Sequence, residues 1–188
     1  IKRGVLVRGN VAGELYGLLG QLWDDGELDA TRLLASNCLG GLLEVGALPD
    51  MVTFTPNGHE VLVANEGEPD DDYIIDPEGS VSIINMRHGA ANATVRTADF
   101  RKYDGMEDML RANGIRIFGP GASASQDLEP EYITVSRNSR FAWVALQENN
   151  ALAVVNIRKA RVVGLRPLGT KDHSLRGNEL DANNRDDA

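Results

Sequence analysis

The feature that most constrains this chain is a four-strand pattern that occurs twice. Met51-Val-Thr-Phe-Thr is followed by Pro56-Asn57-Gly58 and then by Val61-Leu-Val-Ala-Asn65, two runs of period two around a turn triplet, which predicts a hairpin. Ser80-Val-Ser-Ile-Ile-Asn-Met86 and Ala93-Thr-Val-Arg-Thr97 supply a third and a fourth strand. The order returns as Tyr132-Ile-Thr-Val-Ser136, a turn at Arg137-Asn138-Ser139, Phe141-Ala-Trp-Val-Ala-Leu146, Ala151-Leu-Ala-Val-Val-Asn-Ile157 and Arg161-Val-Val-Gly-Leu165. Val52 then matches Ile133, Phe54 matches Val135, Asn57 matches Asn138, Val63 matches Val144 and Asn85 matches Asn156, a correspondence more specific than alternation alone.

Four short antiparallel strands per repeat make one propeller blade. The predicted fold is therefore all-β, a partial β-propeller with at least two four-stranded antiparallel blades within residues 45–168. By this pattern Val52, Phe54, Val61, Val63, Val81 and Ile83 repeat the buried roles of Ile133, Val135, Ala142, Val144, Leu152 and Val154. Two blades fall short of the usual 4–8, so the chain is expected to be a fragment of a longer propeller that does not close a ring. It opens at Ile1, with no leader pattern visible.

The domain reading is an atypical N-terminal segment, residues 1–43, followed by the propeller segment, residues 44–188. Leucines recur at partly helical spacing over residues 13–43, with Asp29 placed to cap a helix beginning near Ala30, although glycines interrupt the pattern. One or two short helices or irregular packing are expected there. Between the repeats, a short helix is expected near residues 105–113, ended by Gly114. No apolar run reaches the roughly 20 residues of a membrane-spanning helix. Cys38 is the only cysteine, so neither a disulfide within the chain nor a cysteine-based zinc cluster can form.

The formal net charge is −9, with acidic residues clustered and the 19 basic ones scattered along the chain, the reverse of a phosphate-backbone footprint. Nucleic acid is not expected as a partner. The densest cluster is Glu66, Glu68, Asp70, Asp71, Asp72, Asp76 and Glu78, seven carboxylates within 13 residues. Gly67, Pro69, Pro77 and Gly79 keep that stretch out of regular structure, so the carboxylates share a loop. Such a loop suits calcium or another divalent cation, which takes six to eight oxygens in irregular geometry; it suits a solvated surface equally. A second group, Gln126, Asp127, Glu129 and Glu131 with Gln147, Glu148, Asn149 and Asn150, lies before the opening strand of the second blade and after its second strand, so both parts can reach one rim and share a pocket. These residues serve either as further ligands or as turn caps.

Other chemistry is sparse. His59, His88 and His173 form no ligand pair, Ser123 and Ser125 in the GPGASAS stretch lack a nucleophile elbow and a His/Asp partner, and no phosphate-binding glycine loop occurs. Asn92-Ala93-Thr94 matches a glycosylation sequon.

The stretches LLEVGALPDMVTFTPNGHEVLVANEGEP, DPEGSVSIINM, GIRIFGPGASASQDLEPEYITVS, ALQENNALAVVNI and LGTKDHS closely resemble the choice-of-anchor I family over residues 43–186. That family includes secreted bacterial proteins often labelled alkaline phosphatase-like and the mesenchyme-specific cell surface glycoproteins of biomineralising animals. The resemblance implies a YVTN-like propeller that is secreted or held at the cell surface, facing an extracellular partner or a mineral or phosphate-bearing ligand; the family would place another β-rich blade before Leu43, where this sequence departs from its pattern. It implies no particular reaction. Two functions follow: a surface propeller that binds a divalent cation and presents loops to a partner, or a metal-dependent phosphoesterase with Arg116 as the candidate phosphate ligand.

Overall fold

The computed structural model describes residues 4–9, 15–18, 39–71, 73–89 and 92–180. Within them the two repeats are two antiparallel four-stranded sheets. The first runs β4 (Pro49–Phe54), β5 (Glu60–Asn65), β6 (Ser80–Asn85) and β7 (Thr94–Asp99), and the second runs β8 (Ile133–Val135), β9 (Phe141–Leu146), β10 (Ala151–Asn156) and β11 (Arg161–Pro167), each as an unbroken meander. Register is shared as well as order. Val52 pairs with Val63 as Ile133 pairs with Val144, and Glu60 pairs with Asn85 as Phe141 pairs with Asn156. Because a one-residue slip would exchange the two faces of a strand, this agreement makes the sheets structural copies of one blade.

The N-terminal segment is strand where it is described. β1 (Gly4–Gly9), β2 (Leu15–Leu18) and β3 (Leu39–Glu44) form a third antiparallel sheet in the order β2-β1-β3. The helical reading of residues 13–43 is corrected over β2 and β3; Asp29, Ala30 and Cys38 lie outside the described residues. The departure from the family's β-rich pattern before Leu43 is corrected with it at these strands, where pairing with β1 overrides the partial leucine periodicity. The helix expected between the repeats is Glu107–Ala112, and Gly114 beyond it takes a φ of 84°. No helix among the described residues is long and apolar enough to cross a membrane.

Burial follows from the stacking of the sheets. One face of the first blade buries Val61, Val63 and Ile84 against Leu43 and Val45. Its other face buries Leu62, Ala64, Val81 and Ile83 in the same core as Ala142, Val144, Ala153 and Val155 of the second blade. Val61, Val63, Val81, Ile83, Ile133, Ala142 and Val144 are buried as the repeat predicts. Phe54 is 37% exposed, and Val52, Val135, Leu152 and Val154 are only half-buried. Leu152 and Val154 differ from Val81 and Ile83 for a clear reason. The first blade turns that face toward the second, whereas the second turns it outward beside Trp143, itself 39% exposed.

Candidate functional site

The acidic segment is a loop with a closed neck. Glu66 and Gly67 donate their N–H groups to the carbonyls of Leu48 and Ala47, and Gly79 donates to the Ser125 carbonyl. Gly67 has a φ of 73°, and a Cβ there would lie 2.7 Å from the Gly79 nitrogen, so glycine is what lets the two sides of the neck touch. The loop thereby leaves and rejoins its sheet where the chain runs into the second blade.

That run is tightly built. Ser123 caps the short helix Ala124–Asp127, its side chain taking the Gln126 backbone while the Gln126 side chain takes the Ser123 N–H. The GPGASAS stretch is thus ordered by a capping box written as Ser123-x-x-Gln126. Ser125 donates to Asp104, and the Gln126 amide donates to the Asp76 carbonyl at 2.9 Å, tying this helix to the acidic loop. Asn149, fully buried, accepts from the Glu129 N–H at 3.1 Å and donates to the carbonyls of Asp127 and Arg116. Asp127 in turn accepts from the N–H groups of Phe118 and Gly119. Asn149 and Asp127 therefore act as scaffold, satisfying backbone groups that burial would otherwise orphan.

What they position is a group of carboxylates between the blades. Burial first, then the charges of Glu68, Asp50, Glu131 and Glu148, push Glu66 up to about 7. Glu129, buried, is pushed up to about 8 by burial and then by Glu66, Asp127, Glu148 and Glu68. Glu131 is raised by burial, Glu148 and Asp50. The fold thus brings Glu66 and Glu68 of the first candidate group into electrostatic reach of Glu129 and Glu148 of the second. Desolvation and like charge act in the same direction, toward protonation.

The described carboxylates of the acidic segment go to separate partners. Asp70, exposed, accepts from the N–H groups of Ile74 and Ile75 of its own loop, Glu78 pairs with Arg101 at 2.7 Å, and Asp71 is exposed. Asp76 is half-buried, with its pKa raised by burial and then by Asp127 and Asp70. Asp72 lies outside the described residues. Among the described residues no three acidic or imidazole side chains converge closely enough to hold a metal ion. His59 and His88 are exposed in turns, and His173 meets the Asn178 carbonyl. Arg116 lies over the ring of Phe118, 5.5 Å from its centre.

Asp50 is the member of the rim that sequence reasoning missed. A signal was present, since Pro49-Asp50 stands to Pro130-Glu131 at the spacing that relates Val52 to Ile133. A family model described as Choice-of-anchor I domain matches residues 29–188. No curated protein matches the chain.

Proposed function

The chain belongs to the choice-of-anchor I family, and from that premise we propose that it is a surface-associated, non-catalytic propeller domain whose acidic rim between the blades takes up a divalent cation, calcium by the hardness of its oxygens. The observation that carries this reading is the gathering of carboxylates from both blades at one partly buried rim, where burial first and their mutual repulsion second push Glu66 up to about 7 and Glu129 up to about 8. A divalent charge placed between Glu66, Glu129 and Glu148 would offset the repulsion among their carboxylates. Asp50, Glu68 and Glu131 would supply further oxygens, with water completing the shell. Since no three of these side chains already converge, binding requires them to turn toward the ion, which favours modest affinity and a large response of the loop.

Protonation makes the reading testable without knowing a partner. Carboxylates must lose their protons to bind metal, so calcium binding releases protons and strengthens as pH rises. Calorimetry of calcium binding at pH 7 in two buffers of different ionisation enthalpy should give different apparent heats, and calcium should raise the melting temperature through mass action. Glu66→Gln with Glu129→Gln should abolish both effects. Absence of heat and of stabilisation at millimolar calcium would sink the reading. Turnover of a generic phosphate ester that depends on added metal and is lost in the double variant would replace it with a metal-dependent phosphoesterase.

A further inference from the structure

At the opposite end of the strands from the acidic rim, the tight turns of both blades border a groove of about 860 Å³. It is lined by Arg87, Arg96, Arg140, Arg158 and Lys159, against one acid, Glu60. These residues come from separate turns and strands, so their grouping is a product of the fold. Glu60 is engaged by Arg87 at 3.2 Å. Arg96 crosses between the blades and donates to the carbonyls of Arg158 at 2.8 Å and Ile157 at 3.3 Å, which fixes its charge in place without neutralising it. Among the described residues, Arg140, Arg158 and Lys159 have no acidic partner.

Four asparagines, Asn57, Asn85, Asn138 and Asn156, line the same groove. Each uses its side-chain oxygen within its own turn, accepting from the N–H of His59 at 3.0 Å, Arg87 at 3.0 Å, Arg140 at 3.1 Å and Lys159 at 2.9 Å respectively. Because a backbone N–H can only donate, this settles which end of each amide is the oxygen. The NH₂ groups remain, without an acceptor among the described residues. The groove is thus furnished with guanidinium, ammonium and amide donors. Its cationic surface continues through Lys159 into a second hollow lined by Lys102 and Arg161, with Asp99 the one acid there.

We propose that this track binds a sulfated or phosphorylated polysaccharide, its ester oxyanions taken by the arginines and lysine and its hydroxyl and ring oxygens by the asparagine amides. Guanidinium forks match tetrahedral oxyanions with paired hydrogen bonds, and two linked hollows suit a chain of such groups. Neither hollow is lined by an aromatic side chain, so stacking platforms for nucleic-acid bases are lacking. The site lies a full strand length from the acidic rim and stands independently of the cation reading.

The test is binding of fluorescent dextran sulfate to the whole chain at several salt concentrations. Wild type should bind, with affinity falling as salt rises through counterion release. Arg140→Gln with Lys159→Gln should weaken binding about 10-fold at low salt and flatten the slope of log affinity against log salt by about 2. Lys171→Gln with Arg176→Gln removes the same charge from exposed positions outside both hollows and should change affinity less than about 2-fold. Circular dichroism confirms that both variants fold. Absence of wild-type binding at low salt, or equal losses in the two variants, would overturn the proposal. A DNA duplex bound more tightly than dextran sulfate would overturn the choice of occupant.

Discussion

The two ends of the paired blades are built from one repeat and have opposite characters. At one end the chain inserts a long acidic loop in the first blade, packs it against the short helix before the second, and crowds carboxylates between the sheets. At the other, tight turns leave an open, cationic groove. Strands of six residues at roughly 3.3 Å each put about 20 Å between the ends, more than twice the screening length of about 8 Å at physiological salt. A net charge of −9 therefore describes neither end. The turn end is fixed by strand pairing that every blade shares, whereas the loop end is free to vary, and that division lets one small scaffold carry two unlike surfaces.

The sharpest way to break this comparison is to add one methyl group at each end. A Cβ on Gly79, at the loop neck, would overlap the Leu128 carbonyl oxygen and lie 2.8 Å from the Pro130 ring. The obstacle is backbone at the end of the short helix before the second blade, so it cannot swing aside as a side chain could. Gly79→Ala should cost about 3 kcal/mol in urea unfolding. Gly58, in the first hairpin turn, has a φ of 70° and nothing within 4 Å of a Cβ, so Gly58→Ala should cost only the strain of a left-handed residue, about 1 kcal/mol. Equal costs would mean that the loop end is no more tightly packed than the turns.

Titration separates the ends next. Glu129 has an ordinary value of 4.5, raised to about 8 in the folded chain. The folded state thus holds this proton more tightly than the unfolded one, and the stability it confers is complete below about pH 4.5 and is lost as pH rises toward 8. Glu66 acts in the same direction over a narrower window, up to about 7. In calcium-free buffer, stability should fall between pH 5 and pH 8, and Glu129→Gln should remove much of that fall, gaining about 2 kcal/mol at pH 8. A variant that stays as pH-dependent as wild type would place the titrating group elsewhere.

How much of this was legible in the sequence depended on whether a signal was local or repeated. Both meanders could be read because period-two runs and turn triplets recur in one order, and the match of Asn85 with Asn156 reappears as a shared register, Glu60 with Asn85 and Phe141 with Asn156. Outward exposure of Leu152 and Val154 could not be read, because it depends on which sheet covers which face. The acidic loop was visible as a cluster, but its division was not: Glu78 goes to Arg101 and Asp70 to its own backbone, while Glu66 joins Glu129 from the other blade. Least legible was the cationic groove, since Arg87 and Arg96 of the first blade meet Arg140 and Lys159 of the second only through sheet stacking.

The smallest expected effect lies in the turn where the repeat changes residue. Ser139 occupies the position of Gly58 and keeps a positive φ, 56° against 70°, so the second blade pays strain of about 1 kcal/mol that glycine avoids. In return its hydroxyl accepts the Asn57 N–H at 3.1 Å, joining the two hairpin turns at the margin of the groove. Ser139→Ala retains the strain and loses the bond, and should cost about 1 kcal/mol. Ser139→Gly loses the bond but relieves the strain, partly offset by the greater freedom of glycine when unfolded, and should fall within about 0.5 kcal/mol of wild type. Urea midpoints of the three proteins, measured together, distinguish these cases. If glycine is as costly as alanine, strain in this turn is negligible and the bond to Asn57 is what the serine supplies. If alanine matches wild type, water replaces the hydroxyl at Asn57, and the turn end is held together by Arg96 and the sheet core without this contact.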